Sequence, residues 1–365
     1  MNSSRYTRLA VLTIPTLILI FLFCLNRDLL PTSINDAVSA PGFPDTTTTT
    51  TTTITTTNNH NNKSPPSNNL KNNLKPPRPS NEAISGIPDK IWHSAKTTNL
   101  TSDQDDWIAS WIDKNPSIRH ELLTDLSGEA FVRSHYANTR PDIVSVYEAL
   151  PIPILKADLL RYLIILAEGG IWSDLDVTCD EPLGSWVPAA YKSQEIDMIV
   201  GLEFDLEWRG EGTQVASQFC NWVFAARPSS RNLQAVVDAV VRKLGEIAAL
   251  NRLPIADLTL DMLPIDVVDV TGPKIMTIAL LDGLRTLLGR PVDDRDFHAI
   301  KTPTLVGDLL IMPGNSFAAA QNGYPEDQGE KLVTHHYAGS WKEADKEAKE
   351  RKKAQKDQGS GSGAS

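Results

Sequence analysis

Lys156 to Pro182 reads KADLLRYLIILAEGGIWSDLDVTCDEP, and the class of the chain follows from it. Leu155, Leu159, Leu163 and Leu166 recur at the spacing of one amphipathic helix face. Asp158, Arg161 and Tyr162 lie three and four apart and share another face of that helix. Gly169-Gly170 can supply the left-handed residue that ends it. A short strand follows, and Asp174 and Asp176 stand where it emerges. In extended backbone, residues two apart point to the same side. With Leu175 turned away, two carboxylates on one side make a hard-oxygen site suited to Mn²⁺ or Mg²⁺.

Around this stretch, strands alternate with helices. Ile87 to His93 opens as a strand, and Ser102 or Asp103 can cap a helix carrying Trp107, Ile108, Trp111 and Ile112 at core spacing. Ile118 to Leu123 reads as a second strand and Glu129 to Tyr136 as a helix. Beyond the aspartates, Ile196 to Leu202 and Trp222 to Ala226 read as buried strands. Ser229 or Ser230 caps a helix with Leu233, Val236, Val237, Val240 and Leu244 on one face. Thr271-Gly272-Pro273 starts another helix, with proline at a tolerated first position, and Leu309 to Met312 reads as a last short strand. The alternation predicts an α/β domain with a largely parallel sheet. No internal repeat is evident.

The chain has 365 residues, and the first 86 read as something other than globular. Residues 9–25 are apolar apart from Thr13 and Thr16, and Arg5 and Arg8 precede them. A membrane span needs roughly 20 apolar residues, with about 17 as the lower limit. The competing reading is a cleaved signal peptide, but no small-x-small cleavage site follows at Cys24-Leu25-Asn26. The expectation is a signal anchor, with residues 1–8 as a cytosolic tail and the remainder lumenal. Residues 26–86 collapse into Thr, Asn, Pro and Ser, including an unbroken threonine run from Thr46 to Thr53. Such a segment has too little apolar surface to offset its ordering entropy and reads as a disordered, O-glycosylated stem. Asn99-Leu100-Thr101 is the best-placed N-glycosylation sequon. Residues 342–365 form a tail dense in both charges that closes on a flexible GSGSGAS. A formal net charge of −10 argues against a nucleic-acid partner. Cys179 and Cys220 would both be lumenal, where a disulfide is permitted; two buried free thiols are the alternative, and the spacing fits no zinc site.

The string from Ala157 to Asp176 resembles glycosyltransferase family 32 in its Ala-Asp-x-x-Arg-Tyr followed by Gly-Gly-x-aromatic-x-Asp-x-Asp. A bare Asp-x-Asp occurs in many acidic loops, whereas the full string is specific. Within the family the chain is most similar to the fungal initiation-specific alpha-1,6-mannosyltransferases of the Golgi. The resemblance runs from about Ile87 to Trp341 and implies one catalytic domain over residues 87–341, with a Rossmann-like GT-A sheet. It implies that Asp158 and Arg161 touch the donor sugar, with Arg161 also near the diphosphate. Asp158, Arg161, Asp174 and Asp176 would carry the catalysis. Asp176 would be the direct metal ligand, with Asp174 reaching the ribose or a metal-bound water. The third ligand would come from Thr334-His335-His336-Tyr337-Ala338-Gly339-Ser340-Trp341, where position matching favours His335 over His336. Ser340 and Trp341 would contact the diphosphate side. Trp92 and His93, on the opening strand, would line the nucleotide pocket with Ala157 and Tyr162. Ala95 replaces an aromatic residue of the family pattern, which leaves the base-stacking contact open, and Trp92 can equally be core.

Three other features remain two-sided. Glu203, Asp205 and Glu207 form an acidic cluster that could bind acceptor hydroxyls, act as a base, or be a solvated loop. Asn221-Trp222 and Thr271-Gly272-Pro273 resemble family segments near the sugar and the acceptor cleft, and each also has a structural reading. The resemblance implies a retaining, metal-dependent transfer of mannose from GDP-mannose to an N-glycan mannose in alpha-1,6 linkage, at the Golgi membrane. No residue stands out as a glycosyl-forming nucleophile. The alternatives are another family-32 activity (glycolipid mannosylation or galactosyl transfer), a metal-dependent phosphohydrolase built on the aspartate pair, and a non-catalytic subunit of a mannan-polymerising complex.

Overall fold

The computed structural model describes residues 83–84, 86–210, 214–263, 266–319 and 322–339. The expected anchor at residues 9–25, almost all of the stem, Ser340, Trp341 and the charged tail lie outside the described residues. Among the described residues no helix is long and apolar enough to cross a membrane.

In chain order the elements are β1 (Lys90–Ala95), α1 (Ser102–Lys114), β2 (Arg119–Thr124), α2 (Asp125–Tyr136), α3 (Pro141–Ala149), α4 (Pro153–Glu168), β3 (Gly170–Ser173) and β4 (Val177–Cys179). They continue with β5 (Met198–Asp205), β6 (Ser217–Phe219), β7 (Val223–Ala226), α5 (Arg231–Asn251), α6 (Val267–Val270) and α7 (Pro273–Leu288). β8 (Thr304–Val306), β9 (Leu309–Met312), α8 (Gly314–Ala318) and β10 (Val333–His335) close the fold. An 8-stranded sheet runs β2-β1-β3-β7-β5-β9-β8, with β6 paired to β5 off this path. The expected α/β class is observed, but the sheet is mixed rather than largely parallel. β1 is parallel to β2 and β3, and β5 to β9, while β7 runs antiparallel to both β3 and β5 and β8 to β9. β4 and β10 form a separate antiparallel ribbon in which Val177 pairs with His335.

The motif helix α4 is buried on every face rather than amphipathic. Leu155, Leu159 and Leu163 are buried, and so are Leu160, Tyr162, Ile164 and Ile165. It lies between the sheet and α2, α3 and α5, so the helical layer covers it from outside. Against the opposite face of the sheet, Ile91, Ile171, Ile199, Ala225 and Leu310 pack with Trp111 of α1, Val177 and Val333 of the ribbon, and Phe317 of α8.

The local signals differ from expectation in identifiable ways. Thr101, not Ser102 or Asp103, caps α1, in a capping box with Gln104. Ser230 caps α5, and Pro273 opens α7 as read. α2 begins at Asp125, ahead of Glu129, because Thr124 caps it. α3 and β10 were not anticipated. Cys179 and Cys220 are both free and buried, so the permitted disulfide does not form.

Both glycines after α4 are needed. Gly169 has φ 66° and Gly170 φ 106°. A Cβ on Gly170 would sit 2.6 Å from the backbone oxygen of Lys90 in the neighbouring strand. Gly170→Ala therefore combines a disfavoured φ with a clash that only backbone movement relieves. It should cost about 3 kcal/mol or more in denaturant unfolding, against a change near zero for an exposed alanine substitution.

Candidate active site

Because β3 and β5 both run against β7, they point the same way, and β1, β2 and β9 point with them. The C-terminal ends of five strands therefore share one edge of the sheet. Asp174 leaves β3 at that edge. The backbone then turns through Leu175 and Asp176 into β4 instead of staying extended. The turn sends the two aspartates to different partners, which corrects the expectation that extended backbone would set them side by side.

Asp174 faces α4. Its Oδ1 accepts the Trp172 indole N–H at 2.7 Å, and its Oδ2 lies 3.4 Å from Arg161 Nη1. Arg161 Nη2 pairs with Asp158 Oδ1 at 3.0 Å, one turn back on α4. The guanidinium is thus held between two carboxylates, with its carbon 5.8 Å from the Trp172 ring centroid. Asn221 and Thr271 complete this buried network. The Asn221 carbonyl accepts from Arg161 Nη1 at 3.0 Å, and its amide donates to Asp158 at 3.3 Å and to the Tyr162 hydroxyl at 3.0 Å. The Thr271 hydroxyl donates to Asp158 Oδ2 at 2.8 Å, and Tyr162 donates to the Thr271 carbonyl at 2.9 Å.

Asp176 faces the ribbon. Its Oδ1 lies 3.3 Å from His335 Nε2, its Oδ2 accepts from the Ala338 N–H at 3.0 Å, and its carbonyl accepts from the His336 N–H at 2.8 Å. Trp222 ties the two halves together. Its carbonyl accepts from the Asp174 N–H at 2.8 Å, and its ring stacks on His335 at 4.4 Å. His336 turns away, stacking on Trp107 at 4.8 Å and meeting the Thr178 hydroxyl at 3.2 Å. The geometry brings Asp158, Arg161, Tyr162, Asp174, Asp176 and His335 together and sets His336 aside.

The electrostatics follow the burial. Desolvation raises the pKa of the Asp158 carboxyl, while Arg161, Thr271 and Asn221 pull against it. Burial also pushes Asp174 up to about 6, with the charge of Asp176 adding to the rise and Arg161 opposing it. Asp176 is partly desolvated as well, but the hydrogen bond and charge of His335 hold it below the usual carboxylate range. Two carboxylates and an imidazole nitrogen are donors that suit Mn²⁺ or Mg²⁺. His335 Nδ1 is buried without a hydrogen-bond partner among the described residues, which leaves Nε2 as the nitrogen turned to the carboxylate. The residues fit such an ion in type, although among the described residues no three acidic, histidine or cysteine side chains gather as a formed metal cluster.

Two expected pocket residues lie deeper. Trp92 is a core residue, with its indole N–H on the Gly169 carbonyl at 2.9 Å and its ring edge-on to Phe131. His93 is buried, with Nδ1 2.8 Å from the Ser173 carbonyl. Ala157 is half-buried on α4. The sequence left Asn221 and Thr271 two-sided, and their contacts make them part of the site. A single polar residue between apolar runs, as in Cys220-Asn221-Trp222, was the available signal.

Residues 101–193 match the glycosyltransferase sugar-binding region containing DXD motif. Over those residues the chain is similar to that domain family. Across 263 residues it is 30% identical to the initiation-specific alpha-1,6-mannosyltransferase of Schizosaccharomyces pombe, covering 70% of this chain and 64% of that protein. The Candida albicans protein of the same name is 26% identical over 261 residues, covering 64% of this chain and 66% of its own. A shorter match, 36% over 107 residues and 28% of each chain, is to inositol phosphoceramide mannosyltransferase 3 of Schizosaccharomyces pombe. The chain thus spans just under two thirds of the length of these two initiation-specific relatives.

Two stability effects follow. Arg161→Met leaves two carboxylates beside each other without their cation and should cost about 3–5 kcal/mol in denaturant unfolding. His93 is held neutral by burial, its pKa lowered to about 4 from 6.5. Between those values the unfolded state takes up a proton that the folded state refuses. Stability should therefore fall as pH drops from 6.5 to 4, by up to about 3 kcal/mol, and His93→Asn should flatten that slope in pH-dependent urea melts.

Proposed function

We propose that the chain is a glycosyltransferase of the GT-A type that moves mannose from GDP-mannose onto a mannose of an N-glycan. The linkage would be alpha-1,6, with retention, and a divalent metal would assist. In this reading residues 9–25 anchor the protein in the Golgi membrane as a single-pass type II protein with its domain lumenal, and a mannosyltransferase complex is a fitting partner. The observation that carries the activity is the Arg161 guanidinium clamped between Asp158 and Asp174 beside the Asp176–His335 pair. The names of the initiation-specific relatives support the transferred sugar and the linkage.

Sugar transfer from a nucleotide donor leaves a nucleoside diphosphate, so negative charge grows on the leaving oxygen. A divalent ion held by Asp176 and His335, with Asp174 beside them, would supply counter-charge for that diphosphate. Arg161 adds a fixed cation, already oriented by its two carboxylates, so little reorganisation is needed as charge develops. Asp158 is anchored by Thr271 and Asn221 and holds the guanidinium in place. The burial of Arg161 and Asp158 keeps water from weakening the pair.

A glycolipid acceptor is the second reading, favoured by the match to the inositol phosphoceramide enzyme. Full-length protein in detergent with Mn²⁺ should be incubated with GDP-mannose or UDP-galactose, and with a high-mannose N-glycan or inositol phosphoceramide. Products are followed by mass spectrometry. One hexose added to the N-glycan from GDP-mannose alone is the expected result, with linkage analysis giving alpha-1,6. Asp176→Ala, or removal of metal by EDTA, should lower the rate by about 100-fold or more. Transfer to the lipid alone would move the assignment to the second reading.

A further inference from the structure

Of the acidic cluster Glu203, Asp205 and Glu207, the fold singles out one member. Asp205 is fully engaged in structure, meeting the Ser217 hydroxyl at 2.6 Å, His298 Nδ1 at 2.9 Å, the Ala299 N–H at 2.7 Å and Arg295 at 3.5 Å. The Glu207 side chain is 91% exposed and lies 3.8 Å from His298. Glu203 differs from both because it sits at a β-bulge. Leu202 pairs with Phe219 and Phe204 with Gln218, so Glu203 is the extra residue on β5 between two neighbours on β6. Bulges of this kind re-aim a side chain and are common beside active sites.

The direction of the re-aimed side chain can be read from its partner. Phe219 packs into the helical layer, so Gln218, next along the strand, faces the other side of the sheet. Gln218 is buried, and its amide donates to Glu203 Oε2 at 2.8 Å, so Glu203 lies on that side too. This is the face that carries the β4–β10 ribbon with Asp176 and His335. Glu203 also lies toward the strand edge where the site opens, two strands across from Asp174, or roughly 10 Å at ordinary strand spacing. Tyr337 sits beside the ribbon on this face. It packs on His335 at 3.8 Å and on Trp222 at 5.8 Å.

We infer that the Glu203 carboxylate and the Gln218 amide form the subsite that receives the hydroxyls of the acceptor sugar, on the face of the sheet that carries Asp176 and His335. A carboxylate there repels a diphosphate, so the donor's charged end is a poor occupant. It accepts hydrogen bonds from the hydroxyls of a neutral pyranoside, and the neighbouring amide supplies a donor and a further acceptor. The Asn322 side chain donates to the Glu203 carbonyl, which braces the bulge. This inference rests on the glycosyl-transfer reading above and adds the residues that select the acceptor.

The test uses full-length protein, with Glu203→Ala, Glu203→Gln and Gln218→Ala compared with the wild type. Initial rates are taken with the high-mannose N-glycan varied at saturating GDP-mannose, and then with the roles reversed. The expected result is an acceptor KM raised about tenfold or more in Glu203→Ala and less in Glu203→Gln, with the donor KM within about twofold. Glu203→Gln keeps the shape and can still accept a hydrogen bond, so it reports on recognition even where Glu203→Ala fails to fold. An unchanged acceptor KM in Glu203→Gln and Gln218→Ala, or a donor KM that rises as much as the acceptor KM, overturns the subsite. Absence of transfer by the folded wild type from either donor to either acceptor overturns the functional reading and the subsite with it. Transfer by the wild type with no acceptor effect in the variants overturns the subsite alone.

Discussion

The burial of one positive charge organises this molecule. Arg161 lies in the middle of a helix with no face to solvent, and its side chain keeps only 8% of its exposure. A lone guanidinium there would be untenable, because the desolvation of an ion far exceeds what packing returns. Asp158 and Asp174 make it tolerable, and each must itself be held. Asp158 is held by Thr271, from the start of α7, and by Asn221, from the entry to β7. Asp174 is held by Trp172 on its own strand and by the Trp222 carbonyl. Segments more than a hundred residues apart in sequence therefore meet around one cation. Their register is fixed by these hydrogen bonds.

The second centre is built differently. Asp176 and His335 come together because β4 and β10 pair, a ribbon of three residues on each side. So short a pairing has little stability of its own. It depends on Val177, Cys179, Leu332 and Val333 packing beneath the sheet with Trp111 and Trp186. His335 is then confined between Trp222 and Tyr337. The Asp176–His335 end of the site is thus mounted on the lower core while the arginine end is mounted on the helical layer, and Trp222 contacts both.

What could be read in the sequence was local. The helix from Pro153 to Glu168, its glycine stop and the aspartates after it are contiguous, and their periodicity and turn chemistry announce them. The covering of α4 on all sides was not legible, because Leu160, Ile164 and Ile165 count as background until α2, α3 and α5 are placed around them. The turn at Leu175 was missed because period-two spacing looks the same in a strand and in a tight turn. β10 escaped because three residues carry almost no pattern, although the family resemblance had singled out His335. Trp92 was ambiguous because a tryptophan on an opening strand can face a pocket or a core, and only the Gly169 carbonyl, from the far end of α4, decides it.

The largest departure from expectation, a mixed sheet where a parallel one was read, has a consequence for the site. In a purely parallel sheet only the C-terminal ends of strands reach the functional edge, and each contributes the loop that follows it. Antiparallel β7 instead brings its N-terminal approach to that edge, between β3 and β5. Asn221-Trp222 is that approach. Its position lets one dipeptide hydrogen-bond Asp158, Arg161, Tyr162 and the backbone of Asp174 while stacking on His335. The same inversion pairs β5 with β6, the strand that leads into this dipeptide, and so creates the bulge that turns Glu203 toward the ribbon. Reversing one central strand thus supplies both the clamp on the arginine end and the carboxylate opposite it, which no sequence of parallel crossovers could place side by side.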